Sequence, residues 1–245
     1  MPTFKHIPTG KRFFFAHIPR TAGRFVEANL LYNNNDMVWD DDWKGLGIGQ
    51  NVMNVYKGIE LAHFDRHYYQ KYLDTKDIPH FSIVRNPITR FKSASIYLKR
   101  YVGGDVEKEM EDPKFFSAVL QAMVWEKPES LNWYRPQVDF ITKKTHVWKF
   151  EDGIKDGFVS WLSGIIGIDL KFNDDVQYPV HRDEGNKFTI TPSHIDNIRN
   201  YYKDDFTEFY PDQLPPQTGS IIPGRMLNEN LNHKHYVLQE KDADS

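Results

Sequence analysis

Two groups of cationic and hydroxyl side chains give this 245-residue chain the composition of an anion-binding site. The first group lies in the stretch RTAGR, from Arg20 to Arg24, and the second pairs Arg85 with Ser93. A guanidinium can grip a phosphate or sulfate through two parallel hydrogen bonds, and a hydroxyl adds another donor. Both groups are therefore predicted to bind the phosphate or sulfate part of a ligand.

Each group lies between a strand pattern and a helix pattern. Phe13–Ala16 is a short apolar run with aromatic residues, typical of a buried strand, and the apolar residues after Arg24 follow helical spacing. Backbone amides at the start of a helix lack partners within the helix, and the helix dipole favours negative charge there. The stretch Arg12–Leu31 is thus predicted to form a strand, a turn that cradles an anion, and a helix.

The second group repeats this arrangement. His80–Val84 has the pattern of a buried strand and Ile88–Arg100 that of a helix, and a further strand is predicted at His146–Phe150. Strands that alternate with helices predict an α/β fold with a central parallel sheet covered by helices on both faces. Such sheets bind ligands where their strands end. We expect a single domain over residues 1–211 and a polar, partly flexible tail over residues 212–245.

Composition excludes several functional classes. The balance of 31 Lys and Arg against 34 Asp and Glu argues against a nucleic-acid partner, which would need a basic excess. The absence of cysteine excludes disulfides, thiolate metal sites and cysteine nucleophiles.

No apolar run approaches the roughly 20 residues of a membrane span, and the N-terminal sequence lacks the apolar core of a signal peptide. We expect a cytoplasmic protein without a membrane span, although a piece of a secretory-pathway protein would have the same composition.

Each group also has an ordinary structural explanation. Arg20 can be a solvated residue in a tight strand-to-helix turn, while Arg85 and Ser93 can be a helix-capping arginine and a surface serine. A nucleoside-triphosphate P-loop is not among the alternatives, because the first group lacks the GxxxxGK[ST] pattern.

Together, the two groups resemble the paired signatures of the sulfotransferases that use 3′-phosphoadenosine 5′-phosphosulfate (PAPS). HIPRTAGRF, which begins at His17, is similar to the family's 5′-phosphosulfate loop, commonly HIPKTGG followed by Ser or Thr. IVRNPITRFKSAS, which begins at Ile83, is similar to its 3′-phosphate motif RDPxxRFxSxY. WYRPQ from Trp133 and DFTEFY from Asp205 are supporting likenesses. The pattern is most similar to that of carbohydrate sulfotransferases acting on chondroitin or on heparan uronic acids, and it covers residues 13–211.

The resemblance implies a P-loop-NTPase-like sulfotransferase fold and PAPS as co-substrate, with 3′,5′-bisphosphoadenosine (PAP) as product and no metal. The residues that would hold the 5′-phosphosulfate are Arg20, Thr21, Ala22, Gly23, Arg24 and Phe25. Those that would hold the 3′-phosphate are Arg85 and Ser93. The implied partner is a hydroxyl acceptor, either a small molecule or an oligosaccharide. The identity of the acceptor and the oligomeric state are left open by the sequence.

His63, in the stretch AHFD between the two motifs, is the candidate general base, because related carbohydrate enzymes carry a histidine in this region. A neutral imidazole can take the proton of the acceptor hydroxyl near neutral pH. The alternative is a buried structural histidine, and Glu60, His67 and Glu27 are the fallback bases. The implied reaction is a single in-line displacement. Arg20 would also be catalytic in it, because it stabilises the charge on the departing bisphosphate.

The first motif departs from the family pattern at three positions. Arg20 stands where lysine is usual, so it keeps the charge but cannot donate a proton. Ala22 replaces a glycine, which is tolerable only if residue 22 does not need a positive φ. Arg24 replaces a serine or threonine, which removes a hydroxyl and adds a cation.

Two other functions stay open at this point. A nucleotide-dependent kinase or other phosphoryl transferase would need a Walker-type lysine and a Mg²⁺-binding Ser, Thr or Asp in register, and neither is evident. In a non-catalytic module that binds a sulfated glycan, Arg20 would mark lost activity. Cations such as Arg135 are expected to contact an anionic acceptor, to close over the cofactor or to be solvated.

Overall fold

The structure is a computed structural model of the chain. It describes residues 2–32, 36–40, 55–56, 59–60, 63–98, 108, 110–114, 116–117, 120, 132–173 and 188–214. These residues belong to one compact unit, Met1–Leu214. The predicted tail over residues 212–245 lies outside the described residues from position 215 onward. None of the helices in the described part of the chain has the length and apolar content that a membrane span requires.

The centre of the fold is a mixed β-sheet. The described strands are β1 (Thr3–His6), β2 (Arg12–Ala16), β3 (Met37–Trp39), β4 (Val55–Tyr56), β5 (Ile59–Glu60), β6 (His80–Val84) and β7 (Thr145–Lys149). Five of them form one sheet in the spatial order β3-β1-β2-β6-β7, and β4 and β5 form a separate antiparallel pair. The strands predicted from the sequence are confirmed as β2, β6 and β7, and each strand end agrees to within one residue.

The expectation of a wholly parallel sheet is wrong at the N-terminal edge. β1 pairs antiparallel with both β2 and β3. A tight turn joins β1 to β2: the His6 amide donates to the Lys11 carbonyl at 2.9 Å, and Gly10 has a φ of +69°. Such a short connection can join only antiparallel neighbours. β2, β6 and β7 run parallel to one another, as the alternation of strands and helices predicts.

Helices cover both faces of the sheet, as predicted. The described α-helices are α1 (Gly23–Tyr32), α2 (Arg66–Tyr72), α3 (Pro87–Leu98), α4 (Asp156–Ile166), α5 (Pro192–Tyr201) and α6 (Lys203–Phe209). Successive residues of β2 point to opposite faces of the sheet. Phe13 and Phe15 therefore join a core that includes residues of α1 and α4. Phe14 instead contacts Tyr69 of α2, with ring centroids 4.7 Å apart.

The carboxyl ends of β2 and β6 are fixed relative to each other. The fully buried rings of Phe15 and Phe81 stack with centroids 4.6 Å apart. Ser82 donates its hydroxyl to the Ala16 carbonyl at 2.7 Å, in the register that pairs these two residues. The loops that follow the two strands therefore start side by side, and both lead directly into helices.

Candidate functional site

The structure brings the two predicted anion-binding groups together. The Arg20 guanidinium donates through Nε and Nη2 to the Ser93 hydroxyl, at 3.1 and 3.0 Å. Arg85 Nη1 donates to the Arg20 carbonyl at 3.3 Å. Two cationic side chains and a hydroxyl therefore meet at the edge where β2 and β6 end and where α1 and α3 begin.

The loop after β2 has a strained backbone. Arg20 and Ala22 have φ values of +69° and +70°, in the left-handed region that costs a residue with a side chain about 1–2 kcal/mol. Position 22 does adopt a positive φ, so the condition for tolerating alanine in place of glycine is not met. Thr21 is fully buried and donates its hydroxyl to the Ile18 carbonyl at 2.8 Å. Left-handed residues turn backbone amides toward one concave side of a loop, which is the form of an anion-binding nest.

Gly23, the first residue of α1, is required by the approach of His17. A Cβ at position 23 would lie 2.1 Å from the His17 ring, far inside van der Waals contact. His17 is buried, stacks on Phe15 with ring centroids 5.3 Å apart, and shares a 2.7 Å hydrogen bond between its Nδ1 and Glu27 Oε1. The pairing of His17 with Glu27 is not predicted from the sequence, although His17 lies in the first motif.

The remaining residues of the first motif are half-buried. Arg24 and Phe25 form the first turn of α1. The Phe25 ring meets the Phe172 ring edge to face, with centroids 6.2 Å apart. Phe25 therefore packs α1 against the chain that follows α4.

Arg85 is held on three sides. Its guanidinium lies over the Phe150 ring, 4.5 Å from the centroid, and its Nε donates to Thr89 Oγ1 at 3.1 Å. The Gln137 side chain accepts from the Arg85 amide and donates to the Arg85 carbonyl, both at 2.8 Å. Burial lowers the pKa of Arg85, and the Glu151 carboxylate opposes this effect. The guanidinium stays cationic and is fixed in direction, which suits a group that positions a phosphate.

His63 lies beside His17 at the same edge of the sheet. The two imidazole rings meet edge to face with centroids 4.9 Å apart. His63 is almost fully buried, and its carbonyl accepts a hydrogen bond of 2.5 Å from Asn132 Nδ2. The candidate base thus contacts His17, the residue that follows β2 and begins the first motif.

The fallback bases are less suitably placed. Glu27 is buried and already bonded to His17. His67 is exposed on α2, where its ring meets the Tyr68 ring edge to face at 5.7 Å. Glu60 lies in β5, and its side chain is outside the described residues. His63 therefore remains the candidate base.

Arg90 is a site residue that the sequence prediction missed. It lies inside the second motif, and its side chain is only 1% exposed. Its Nε donates to the Pro19 carbonyl at 3.0 Å and its Nη2 to the Asn132 carbonyl at 3.4 Å. Because Asn132 also donates to the His63 carbonyl, one buried arginine connects the anion loop to the segment of the candidate base. Its place in the motif is the only sequence signal for this function.

Asp205 supports the segment that holds Arg85. Its carboxylate accepts hydrogen bonds from the amides of Gln137 and Val138, at 2.9 and 3.0 Å. Complete burial raises the pKa of Asp205 to about 6, against the opposing charge of Arg90 and these backbone hydrogen bonds. Gln137, which holds the backbone of Arg85, is therefore hydrogen-bonded to Asp205, a carboxyl group with a pKa of about 6.

The interpretation of Arg135 as an acceptor-binding or solvated cation is wrong. Its side chain is buried, with Nη1 3.0 Å from Asp65 Oδ2, and its Nε donates to Asn132 Oδ1 at 3.0 Å. Asp65 also caps α2, because it accepts from the amides of His67 and Tyr68. Arg135 therefore joins the start of α2 to the chain before Gln137. A buried ion pair of this kind cannot be recognised from sequence spacing.

Comparison with protein-family models, curated proteins and solved structures finds no match to this chain. Within the described ranges, no group of three or more His, Asp or Glu is arranged to hold a metal ion. The residues and geometry of the site are therefore the basis for its functional assignment.

We predict that Ala22→Gly stabilises the protein, because glycine removes the left-handed strain at position 22. The gain in the free energy of unfolding should be up to about 1 kcal/mol after the added flexibility of the unfolded chain is subtracted. Ala28→Gly, on the buried face of α1, is the matched control and should cost about 1 kcal/mol. Urea denaturation of both variants measures the difference. Equal losses of stability would mean that residue 22 is not strained.

The buried carboxyl of Asp205 should make stability fall as the pH rises from 4 to 7. Its pKa is about 6 in the folded state against an ordinary value of 3.8, so the folded state binds more protons than the unfolded state in this interval. Relative to Asp205→Asn, the wild-type free energy of unfolding should therefore decrease by up to about 3 kcal/mol between pH 4 and pH 7. Denaturant titrations across this range measure the difference.

Asp204→Asn is the control for the Asp205 experiment, because it removes an exposed carboxylate from the same helix. It should follow the wild-type pH dependence. A difference between wild type and Asp205→Asn that stays constant with pH would contradict the raised pKa of Asp205.

Proposed function

We propose that this protein is a PAPS-dependent sulfotransferase that transfers the sulfuryl group to a hydroxyl of a saccharide or small molecule. One observation carries the proposal: the Arg20 guanidinium and the Ser93 hydroxyl, 73 residues apart in sequence, share hydrogen bonds of 3.1 and 3.0 Å. This contact joins the motif that resembles a 5′-phosphosulfate loop to the motif that resembles a 3′-phosphate site. A P-loop-NTPase-like sulfotransferase fold is part of the proposal, supported by the parallel strands β2, β6 and β7 that end at this edge.

PAPS carries negative charge at both its 5′ and its 3′ position, and the proposed site offers a cation for each. Arg20 and the amides of the loop before α1 would hold the 5′-phosphosulfate, while Arg85 would hold the 3′-phosphate. Binding would exchange the contact between Arg20 and Ser93 for charge-assisted bonds to phosphate oxygens, which are stronger. ATP and AMP lack the 3′-phosphate, so Arg85 is the residue that would select PAPS.

The proposed reaction is one in-line displacement at sulfur. The acceptor oxygen forms a bond to sulfur while its proton passes to the His63 imidazole, and the bond from sulfur to the phosphate oxygen breaks. The electron pair of that bond leaves with PAP. Arg20 and the loop amides stabilise the charge that develops on the departing oxygen. Because a guanidinium cannot give up a proton, PAP leaves as the fully ionised anion.

The nucleotide part of the proposal predicts that PAP raises the melting temperature more than 5′-AMP or ATP with Mg²⁺. Arg85→Gln should weaken PAP binding by about 10- to 100-fold, because a charge-assisted contact is lost, and should leave 5′-AMP binding unchanged. Lys92→Gln removes an exposed cation from α3, the helix that follows Arg85, and serves as the control. Titration calorimetry measures these affinities. Stabilisation by ATP with Mg²⁺ but not by PAP would instead indicate a phosphoryl transferase.

The catalytic part predicts that His63→Ala lowers the rate of sulfate transfer by about 10²–10⁴-fold, the usual contribution of a general base. PAP affinity should stay within about twofold, since binding depends on the arginines. The assay is transfer from radiolabelled PAPS to a panel of saccharide and phenolic acceptors. The control is His67→Ala, because His67 is an exposed histidine close to His63 in sequence. This variant should keep wild-type activity. Full activity in His63→Ala would exclude His63 as the base, and PAP binding without any transfer would indicate a non-catalytic module.

A further inference from the structure

A buried acid–base pair next to the site has no part in the proposed reaction. His17 follows β2 directly, and Glu27 lies one turn inside α1. Their side chains are 3% and 11% exposed, and Nδ1 of the histidine lies 2.7 Å from Oε1 of the glutamate. Ionisable side chains are rarely buried to this degree unless they are paired. Because burying such a pair costs desolvation energy, the pair contributes little net stability to the fold. Its function is therefore sought in the groups that it contacts.

The His17 ring contacts both the start of α1 and the candidate base. One edge of the ring fills the space that Gly23 leaves by having no Cβ. The His63 ring meets the His17 ring edge to face, with centroids 4.9 Å apart. One face stacks on Phe15, nearly parallel at 7°. The orientation of His17 is therefore fixed by packing and by its bond to Glu27.

The charge of Glu27 acts on both histidines. Burial by itself would raise the pKa of Glu27, but the nearby imidazoles of His17 and His63 and the hydrogen bond with His17 lower it below its ordinary value. The carboxylate is therefore ionised at neutral pH. Electrostatic interactions are mutual, so the same carboxylate favours a positive charge on His63.

Other charged groups of the described residues near this edge have partners of their own. Asp65 pairs with Arg135, and Arg20 donates to Ser93. Arg90 donates to the Pro19 carbonyl and Arg85 to the Arg20 carbonyl. Among the described residues, Glu27 is a carboxylate in direct contact with His17.

We propose that Glu27 and His17 are positioning residues for His63, with Glu27 holding the His17 ring through Nδ1 and the pair stabilising the imidazolium that forms on His63. This inference rests on the proposed function, in which His63 takes the acceptor proton. An imidazolium in a nearly buried position is costly unless an opposite charge lies close to it. The carboxylate supplies that charge through the intervening ring, as the third member of a catalytic triad does.

Glu27→Gln is the direct test, because glutamine keeps the size of the side chain and an acceptor oxygen for His17 Nδ1 while it removes the charge. The titration midpoint of the His63 ring, followed by NMR, should move to lower pH by about 0.5–1 unit. The acidic limb of the pH profile of kcat/KM should move in the same direction, and kcat should fall by about 10-fold. PAP affinity should stay within about twofold, since neither residue would contact the phosphates.

Asp40→Asn is the matched control. It removes the carboxylate that pairs with Arg12 at 2.5 Å, at the amino end of β2, whereas His17 follows the carboxyl end. The His63 midpoint should not move in this variant. If Glu27→Gln also leaves the midpoint and the pH profile unmoved, the positioning proposal is overturned.

A second variant covers the case in which Glu27→Gln does not fold. In His17→Asn, the amide group can still donate to Glu27, but the ring that contacts His63 is gone. We expect kcat to fall by about 10-fold while PAP affinity is retained, and unchanged kcat would overturn the proposal.

The two proposals fail in different ways. If PAP does not bind to the wild-type protein, the proposed function is contradicted. The NMR titration of His63 would still measure the electrostatic interaction between His63 and Glu27. PAP binding together with a His63 titration that is insensitive to Glu27→Gln would remove only the positioning proposal.

Discussion

A hydrogen bond between a buried guanidinium and a loop carbonyl holds the rest of the site in place. Arg90 Nε donates to the Pro19 carbonyl at 3.0 Å from a position that is 1% exposed. A buried cation must keep its partners, because an unpaired charge costs several kcal/mol. Arg90 also reaches the Asn132 carbonyl, and Asn132 donates to the carbonyl of His63. The anion loop, α3 and the candidate base therefore form one connected unit, and none can shift without leaving a buried polar group unsatisfied.

This constraint explains how the loop keeps a strained conformation. Two residues with side chains in the left-handed region cost about 1–2 kcal/mol each, and a loop free to relax would give up that conformation. Arg90 donates a hydrogen bond to the Pro19 carbonyl of the loop, and the Thr21 hydroxyl donates to the Ile18 carbonyl. Because Gly23 has no Cβ, the His17 ring can pack against it. The strain at Arg20 and Ala22 is thus offset by contacts within the loop and with α3.

Local patterns predicted the parts of this structure that depend on neighbouring residues. β2 and β6 follow from short apolar runs, and the loops after them follow from the helical spacing that comes next. The antiparallel strand β1 was missed because its four residues are too few to show a clear alternation. The sequence left the φ of Ala22 open, because only tertiary contacts impose a positive φ on a residue with a side chain. The bond from Gln137 to Arg85 spans 52 residues, and no spacing rule predicts which distant amide will fix an arginine.

The arrangement of arginines favours an anionic ligand independently of which anion it is. The charges of Arg20 and Arg90 both act to lower the pKa of Arg85, after the larger effect of burial and against the Glu151 carboxylate, so Arg85 is repelled by two neighbouring cations. In the described structure, backbone carbonyls and the Ser93 hydroxyl accept hydrogen bonds from these guanidinium groups. Neutral acceptors offset such repulsion less well than a negative charge does. A ligand with two phosphate groups would therefore lower the energy of the site by bonding to the cations and by reducing their mutual repulsion. A neutral sugar could not do both.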